Sequence, residues 1–518
     1  MDNNYKLNPC FLINGYTNLN WKNKTTFTST QYYSTQLKER YGEEDEDGWI
    51  NKIFWGDNIQ VMSHLLKDYR GKIDLIYIDP PFDSKSDYKR KIKLKGKEFN
   101  NNDIGSFEEK QYTDIWSNDE YLQFIYERLV LMRELLSEKG SIYLHCDWHK
   151  CHHIRCMMEE IFGIENFRSQ IVWKKATKTT NFKNYGSEHD VILYFSKSPD
   201  KFIFNQVYTD IKESELITKY IYLEKNDGSI IKLSKEQKLG KEKIPEGRRF
   251  RGIPLTNMNQ NRPNLEYEFL GYTRVWAVKE ETMKKLQEDG LIFQVDGGVP
   301  QKKGYLDENK GAKVNDLWID INAVNSQAKE KQGYPTQKPE KLLERIITVS
   351  SNEGDIVFDC FMGSGTTQSV AMKLNRKFIG SDINLGSIET TVKRLINNSE
   401  CKGIDIYHMD NSKYLKESAI SKIDINEHVI KINDFYPTYL LQNFKLRKED
   451  IKDWRELVDS IMIDFDYNRM VFKPTIIDMP SKNELVKGEY EIPKDASVIK
   501  VKITDVSYKI YEFKLEIK

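Results

Sequence analysis

The stretch Ile76-Tyr77-Ile78-Asp79-Pro80-Pro81-Phe82 climbs out of an apolar run and ends in an acid, two prolines and an aromatic ring. Leu75 to Ile78 reads as a buried parallel strand, because such strands are near-continuous hydrophobic runs. Asp79 then falls at the carboxyl end of that strand, the edge at which open α/β sheets bind ligands. Neither proline donates a backbone hydrogen bond, and each fixes its φ near about −65°. The product is a stiff turn that offers a carboxylate, backbone carbonyls and an aromatic face, a receptacle for a flat amine-bearing ring such as a nucleobase. A plain strand ending at a proline turn uses the same residues, so a second stretch is needed to decide.

That stretch lies far downstream. Ile356-Val357-Phe358-Asp359-Cys360-Phe361-Met362-Gly363-Ser364-Gly365-Thr366-Thr367 reads as strand, tight glycine turn and helix start. Together, D-P-P-F and F-M-G-S-G-T-T resemble the catalytic and cofactor motifs of the amino-methylating DNA methyltransferases, and their order resembles the circularly permuted beta class. The resemblance implies a Rossmann-like α/β core and S-adenosylmethionine as cofactor. It assigns catalysis to Asp79, Pro80, Pro81 and Phe82, and cofactor binding to Asp359, Phe361, Gly363, Gly365 and Thr366. Cys360 stands where family members often carry proline.

The chain has 518 residues, enough for two or three domains, and its 79 basic and 79 acidic residues balance. Any field that attracts nucleic acid is therefore local rather than global. Six cysteines in this length do not form a disulfide framework, and no signal peptide or membrane-length apolar run is visible, so the expected location is the cytoplasm.

Residues 1–48 read as an extension over the core, and 49–197 as its catalytic half. A strand from Trp49 to Trp55 and an amphipathic helix from Ile59 to Lys67 lead to the Asp79 strand as one βαβ unit. Asp57, expected beside the catalytic strand, caps that helix, and the resemblance also gives it the cofactor's adenosine. A similar Met409-Asp410-Asn411 unit leaves open which of the two strands follows the second strand of the cofactor half. Lys85, Lys89, Arg90 and Lys91, with Lys95 and Lys97, crowd the segment after the catalytic motif and suit phosphates, as does Lys178 further on. The run from His145 to Cys156 is rich in metal ligands, but its cysteines recur at 146, 151 and 156 across a strand end and a helix. Structural zinc sites favour closer pairs, so no metal is expected.

Residues 198–330 read as an inserted target-recognition domain, in which Arg248, Arg249 and Arg251, and the run Asn259-Gln260-Asn261-Arg262, carry the groups that read base edges. Residues 331–424 are the cofactor half. By resemblance, Thr336 and Lys338 of T-Q-K-P hold the methionine end of the cofactor, and a lysine at a helix start suits its carboxylate. Asp382 ends the second strand of this half, placed for ribose hydroxyls. Residues 425–518 read as a small β-rich accessory domain.

The expected activity is N6 methylation of adenine in double-stranded DNA. The resemblance to type III modification subunits adds an ATP-dependent nuclease subunit, or a second copy of the chain, as further partners that stay open. Cytosine N4 methylation and a DNA-binding subunit without catalysis are the rivals.

Overall fold

Ile73–Ile78, buried at all six positions, is the strand that carries Asp79, and in a computed structural model the sheet is laid out on either side of it. The structure describes residues 4–6, 19–82, 86–95, 106–114, 117–175, 186–295, 297–325, 328, 330–334, 336–397, 403–409, 418–426, 428–444, 446–481, 484–494, 496 and 498–516. In chain order, the core comprises β1 (Thr35–Tyr41), β2 (Asn51–Trp55), α1 (Asn58–Tyr69), β3 (Ile73–Ile78), α2 (Asn118–Leu135), β4 (Leu136–Cys146), α3 (Cys151–Phe162), β5 (Phe167–Lys174) and β6 (His189–Ser196). It continues with β7 (Leu317–Trp318), α4 (Glu340–Ser350), β8 (Ile356–Asp359), α5 (Thr366–Lys373), β9 (Lys377–Asp382), α6 (Leu385–Ile396) and β10 (Ile404–Met409).

These strands form one ten-stranded sheet in the order β7-β5-β6-β4-β3-β8-β9-β2-β10-β1. The six from β4 to β10 run parallel, and β5, β6 and β4 are antiparallel. β3 and β8 lie side by side, Leu75 against Val357 and Ile76 against Phe358. From there the chain leaves β3 towards β4 and β8 towards β9, in opposite directions across the sheet. That reversal opens a crevice at the carboxyl ends of β3 and β8. Helices cover the sheet through their apolar stripes: α1 buries Val61, Met62, Leu65 and Leu66, and α4 buries Leu342, Leu343, Ile346 and Ile347. Each such side chain contributes about 1.5–3 kcal/mol on burial.

β2 corrects one expectation. It lies between β9 and β10, so it does not neighbour the catalytic strand; β9 and β8 intervene. The choice left open by the second Asp-Asn unit is thereby settled by register: β2 is the strand that follows β9, and β10 lies beyond it. An N-terminal strand thus completes the downstream half of the sheet, as a permuted chain requires.

Described parts of the N-terminal segment pack on the core: β1 pairs with β10, and Trp21 meets the edge of Tyr126 on α2 at 5.7 Å. Residues 1–205 and 316–518 form one compact unit and residues 206–315 another. The insertion is therefore shorter than 198–330, because β7 at 317–318 already pairs with β5 of the core. The tail is not a separate domain. Its sheets, β11 (Ala419–Ile425), β12 (Val429–Pro437) and β15 (Glu489–Glu491), and β13 (Val458–Asp464), β14 (Ile476–Asp478), β16 (Val498–Asp505) and β17 (Ile510–Glu516), enclose their own apolar cluster but belong to the core unit. Lys502 of β16 is the fastening point: its ammonium lies 2.8 Å from Glu39 of β1 and 3.0 Å from Glu389 of α6, all three buried.

The inserted unit has a five-stranded antiparallel sheet built on Arg248–Pro254 and Gln301–Tyr305. Phe250, Phe293 and Tyr305 pack one small core, and Leu255, Phe269, Trp276 and Met283 another.

Candidate active site

Asp79 follows the last buried residue of β3, and Pro80 behind it is buried too. Its two carboxylate oxygens have different fates. Oδ2 is ion-paired with the Lys338 ammonium, whereas Oδ1 is buried with no hydrogen-bond partner among the described residues. The Lys338 ammonium also lies 5.5 Å from the centre of the Phe82 ring. Phe82 in turn lies nearly parallel to the His145 imidazole, centroids 6.0 Å apart and planes 23° apart.

His145 comes from β4, whose Leu144 is in register with Ile78. Burial, and then the charge of Lys338, lower its pKa, so the ring is neutral. One nitrogen of a neutral ring donates and the other accepts. Asp190 accepts from Nε2 at 3.4 Å, which leaves Nδ1 to accept the Tyr77 hydroxyl at 3.1 Å. Burial opposes ionising Asp190, but His145 and the Lys175 ammonium 2.5 Å away hold its carboxyl well below the usual range. The floor beneath Phe82 is thus a fixed polar chain of Tyr77, His145, Asp190 and Lys175.

The crevice opens into a cavity of about 360 Å³ lined by Asp79, Pro81 and Tyr77 from one half and by Asp359 to Gly363, Thr366 and Asp382 from the other. Such a volume lies within the range of small-molecule sites. The glycine turn connecting β8 to α5 has left-handed backbone at Gly363 (φ 53°) and Gly365 (φ 69°). At Gly365 a Cβ would fall 2.4 Å from Thr391 Cγ2, so the close neighbour is α6. Asp359 stays under the turn: it accepts from the Phe361 amide at 2.9 Å and the Thr367 hydroxyl at 2.6 Å. Burial nonetheless pushes its carboxyl up to about 7, helped by the charges of Asp79 and Asp382. Asp382 accepts from the amides of Gly363 and Asn384 at 2.9 and 2.8 Å, and burial pushes it up to about 6. The Thr366 hydroxyl accepts from Arg394 at 2.8 Å, and Arg394 also donates to the Ser364 carbonyl at 3.2 Å.

Of the two roles considered for Asp57, the structure shows the cap. It caps α1 by accepting the Ile59 amide at 2.8 Å, and it lines the cavity. It also pairs at 3.2 Å with Arg128, a buried guanidinium that donates to Asn58 Oδ1 at 2.6 Å. Asn58 passes the link on to the Cys360 carbonyl at 3.1 Å. Arg128 sits 3.5 Å over the Phe124 ring, and Phe124 meets the edge of Phe361 at 6.1 Å. Thr336 lines the same cavity in a left-handed conformation, φ 61°, which is uncommon outside glycine.

Asn58, Phe124, Arg128, Tyr334 and Tyr77 line the cavity without having been picked out from the sequence. Arg128 had a readable signal, a cation beside the apolar stripe of α2 whose guanidinium has to find a partner when buried.

Lys85 and Lys178 lie outside the described residues, and for Lys89, Arg90 and Lys91 the described part is the backbone of the strand Ser86–Lys93, paired with Ser106–Asp114. Lys95 is buried and donates to the Asp459 carbonyl at 2.7 Å and the Pro480 carbonyl at 3.2 Å, so it anchors the segment to the tail instead of facing phosphate. In the inserted unit, Arg248 is ion-paired with Asp307 and Glu308, Arg249 donates to the Tyr220 and Leu216 carbonyls, and Arg251 pairs with Glu215. Their forks are committed to the unit's own structure. Among the described residues no three His, Cys, Asp or Glu side chains are grouped to hold a metal ion, and no helix is long and apolar enough to cross a membrane.

A family model described as DNA methylase, N6_N4_Mtase, matches residues 73–393. The type II methyltransferase M.EcaI of Enterobacter cloacae is 30% identical over 349 residues, 66% of this chain and 69% of its own. The StyLTI Mod subunit of a type III restriction-modification enzyme, from Salmonella typhimurium, is 28% identical over 350 residues, 63% of this chain and 50% of its own. The chain thus spans about half the length of that relative. A solved structure of an M1.HpyAVI–SAM complex is similar over 66% of this chain and 98% of its own, at 17% identity and a TM-score of 0.32.

Proposed function

We infer, from the premise that this chain belongs to the DNA methylase family, that it methylates the N6 amino group of adenine in double-stranded DNA at a specific site. One observation carries the reading. Asp79 presents a buried carboxylate oxygen, without a partner among the described residues, at the wall of the cavity that the glycine turn also lines. An orphaned buried acceptor costs about 1–3 kcal/mol unless a donor meets it, and an exocyclic amine is such a donor.

The cofactor is S-adenosylmethionine, and the residues present suit its parts. Asp382 and Asp57 stand at the ends of β9 and β2, placed for hydroxyl and amino groups of an adenosine; Phe361 and Phe124 provide aromatic faces for a sulfonium. Thr336 and Lys338 provide a hydroxyl and an ammonium for a carboxylate. When bound, the cofactor supplies an electrophilic methyl group.

The chain's own part is positioning. An aryl amine's lone pair is delocalised into its ring. Asp79 Oδ1 accepting one N–H, and the Pro80 carbonyl the other, localise that pair in line with the methyl carbon. With the cofactor bound, accepting its methyl group would leave the nitrogen positively charged, and Asp79 Oδ1, already hydrogen-bonded to one N–H, would take the proton that is then shed. Phe82, held over His145, stacks on the base, a contact worth about 1–3 kcal/mol. Extruding the base from the duplex costs a few kcal/mol. Aligning two bound reactants supplies most of the rate.

Both named relatives are restriction-modification methyltransferases in the wording of their own names, and we place this chain in such a system in the cytoplasm, with DNA as its partner. Asp79→Ala tests the chemistry. Methyl transfer to DNA is expected to vanish while DNA binding, measured by anisotropy, changes less than about threefold; equal loss of both would remove Asp79 from the catalytic role.

A further inference from the structure

We propose that Lys338 is a positioning residue for the catalytic acid: its ammonium holds Asp79 Oδ2, so that Oδ1 alone turns to the amine; the inference rests on the methyltransferase reading above.

A carboxylate has two equivalent oxygens and a broad terminal torsion, so nothing within an aspartate chooses the oxygen that faces a substrate. At Asp79 the choice is made from outside. Among the described residues its side chain has one partner, Lys338, which takes Oδ2 and leaves Oδ1. The Tyr77 hydroxyl, on the same strand, is committed to His145 instead. The ion pair is sheltered, with 11% of the Lys338 side chain and 18% of the Asp79 side chain exposed. Pairs in open solvent contribute little, whereas little water competes for this one. The same ammonium lies 5.5 Å from the centre of the Phe82 ring, so one cation meets both the acid and the aromatic ring of the motif.

A lysine stem is flexible, so it orients a partner only where its own backbone is fixed. Lys338 is fixed from three sides. Behind it, buried Pro339 leads into α4, whose Leu342, Leu343, Ile346 and Ile347 are buried. Its carbonyl accepts from the hydroxyl of Thr366, on the glycine turn, at 3.3 Å. Before it, the Gln337 side chain accepts the Gln332 amide at 2.8 Å and donates to the Glu330 carbonyl at 2.7 Å. The Glu330 carboxylate accepts the first amide of α4, that of Glu340, at 2.7 Å. In T-Q-K-P the glutamine closes the loop, the proline starts the helix and the lysine reaches the acid.

By resemblance Lys338 serves the cofactor's carboxylate, and the two roles are compatible, because an ammonium has three N–H donors. One goes to Asp79 and a longer contact runs to the Thr336 carbonyl at 3.5 Å, which leaves a third. The roles differ in what is lost with the ammonium. A ligand of the cofactor governs how tightly the cofactor binds, whereas the partner of Asp79 governs how fast the methyl group moves once everything is bound. Misplacing a reacting group by about 1 Å costs about 100-fold in rate.

The test measures three quantities on the full-length protein. They are single-turnover methyl transfer to mixed-sequence duplex DNA, the dissociation constant for S-adenosylmethionine by calorimetry, and that for DNA by anisotropy. Lys338→Met is expected to slow transfer roughly 10- to 100-fold even when its own dissociation constant is used to saturate it with cofactor. DNA binding is expected to change less than about threefold, and Lys338→Arg, which keeps a cation, to recover part of the rate. Full rate at saturation, with only cofactor affinity weakened, would leave Lys338 a ligand of the cofactor alone and overturn the inference. A loss of rate matched by an equal loss of DNA binding would also overturn it. Melting temperatures of Asp79→Asn, Lys338→Met and the double variant read the pair without any methyl transfer. The double variant is expected to lose less than the sum of the two single losses, and strict additivity would overturn the pairing. If the unaltered protein transfers no methyl group, the methyltransferase reading falls, and the melting temperatures alone decide whether Lys338 holds Asp79.

Discussion

At the scale of single residues, the cavity stores acid in an unusual state. Asp359 and Asp382, pushed up to about 7 and about 6, bind protons more tightly in the folded chain than unfolded. Stability from such groups is fully present below the unfolded value near about 4 and is lost as pH rises through the folded values. The melting temperature is therefore expected to fall between pH about 4 and 7 from this cause. Asp359→Asn, which keeps an acceptor for the Phe361 amide, is expected to be less stable than the parent at pH 5 relative to pH 8, and to melt over a flatter pH profile. A parallel pH dependence in parent and variant contradicts the assignment. The end of the strand at Asp79 was legible because two prolines stop a strand, and the catalytic reading needed the glycine turn far downstream as well. Lys95 was not: within a run of lysines nothing marks the one that is buried against Asp459 and Pro480.

At the scale of elements, the turn between β8 and α5 is the most constrained part of the sheet's edge. Gly365→Ala places a methyl group against Thr391 and forces a left-handed backbone. The expected cost is about 1–3 kcal/mol, read as a lower melting temperature, with a weaker dissociation constant for S-adenosylmethionine in calorimetry. An unchanged affinity would mean that the turn's shape does not govern the cofactor site. Strand and helix periods gave the core elements to within a few residues, since β3 and β8 are buried on both faces and α1 buries one apolar stripe. Pairing was less legible. β2 precedes β3 in the chain, yet lies three places away across the sheet, and only long-range contact decides that.

For the whole molecule, the tail and the core share a buried charge cluster. Lys502 is held well above its usual range; burial opposes this, and Glu389 and Glu39 overcome it. Lys502→Met leaves two buried carboxylates without their cation and is expected to cost about 3–5 kcal/mol in denaturant unfolding. Adding Glu39→Gln and Glu389→Gln is expected to restore most of it. Full stability of the single variant would contradict the fastening role. Sequence alone divided the tail from the core because the resemblance to the methyltransferase core ends near residue 425, and a cluster assembled from residues 39, 389 and 502 leaves no local mark.

The most direct measurement incubates the full-length protein with S-adenosylmethionine and mixed-sequence DNA, digests the DNA to nucleosides and identifies the methylated base by mass. N6-methyladenine is the expected product, absent with Asp79→Ala. N4-methylcytosine would keep the fold and overturn the base assignment, and no methylated base would contradict the account at its centre.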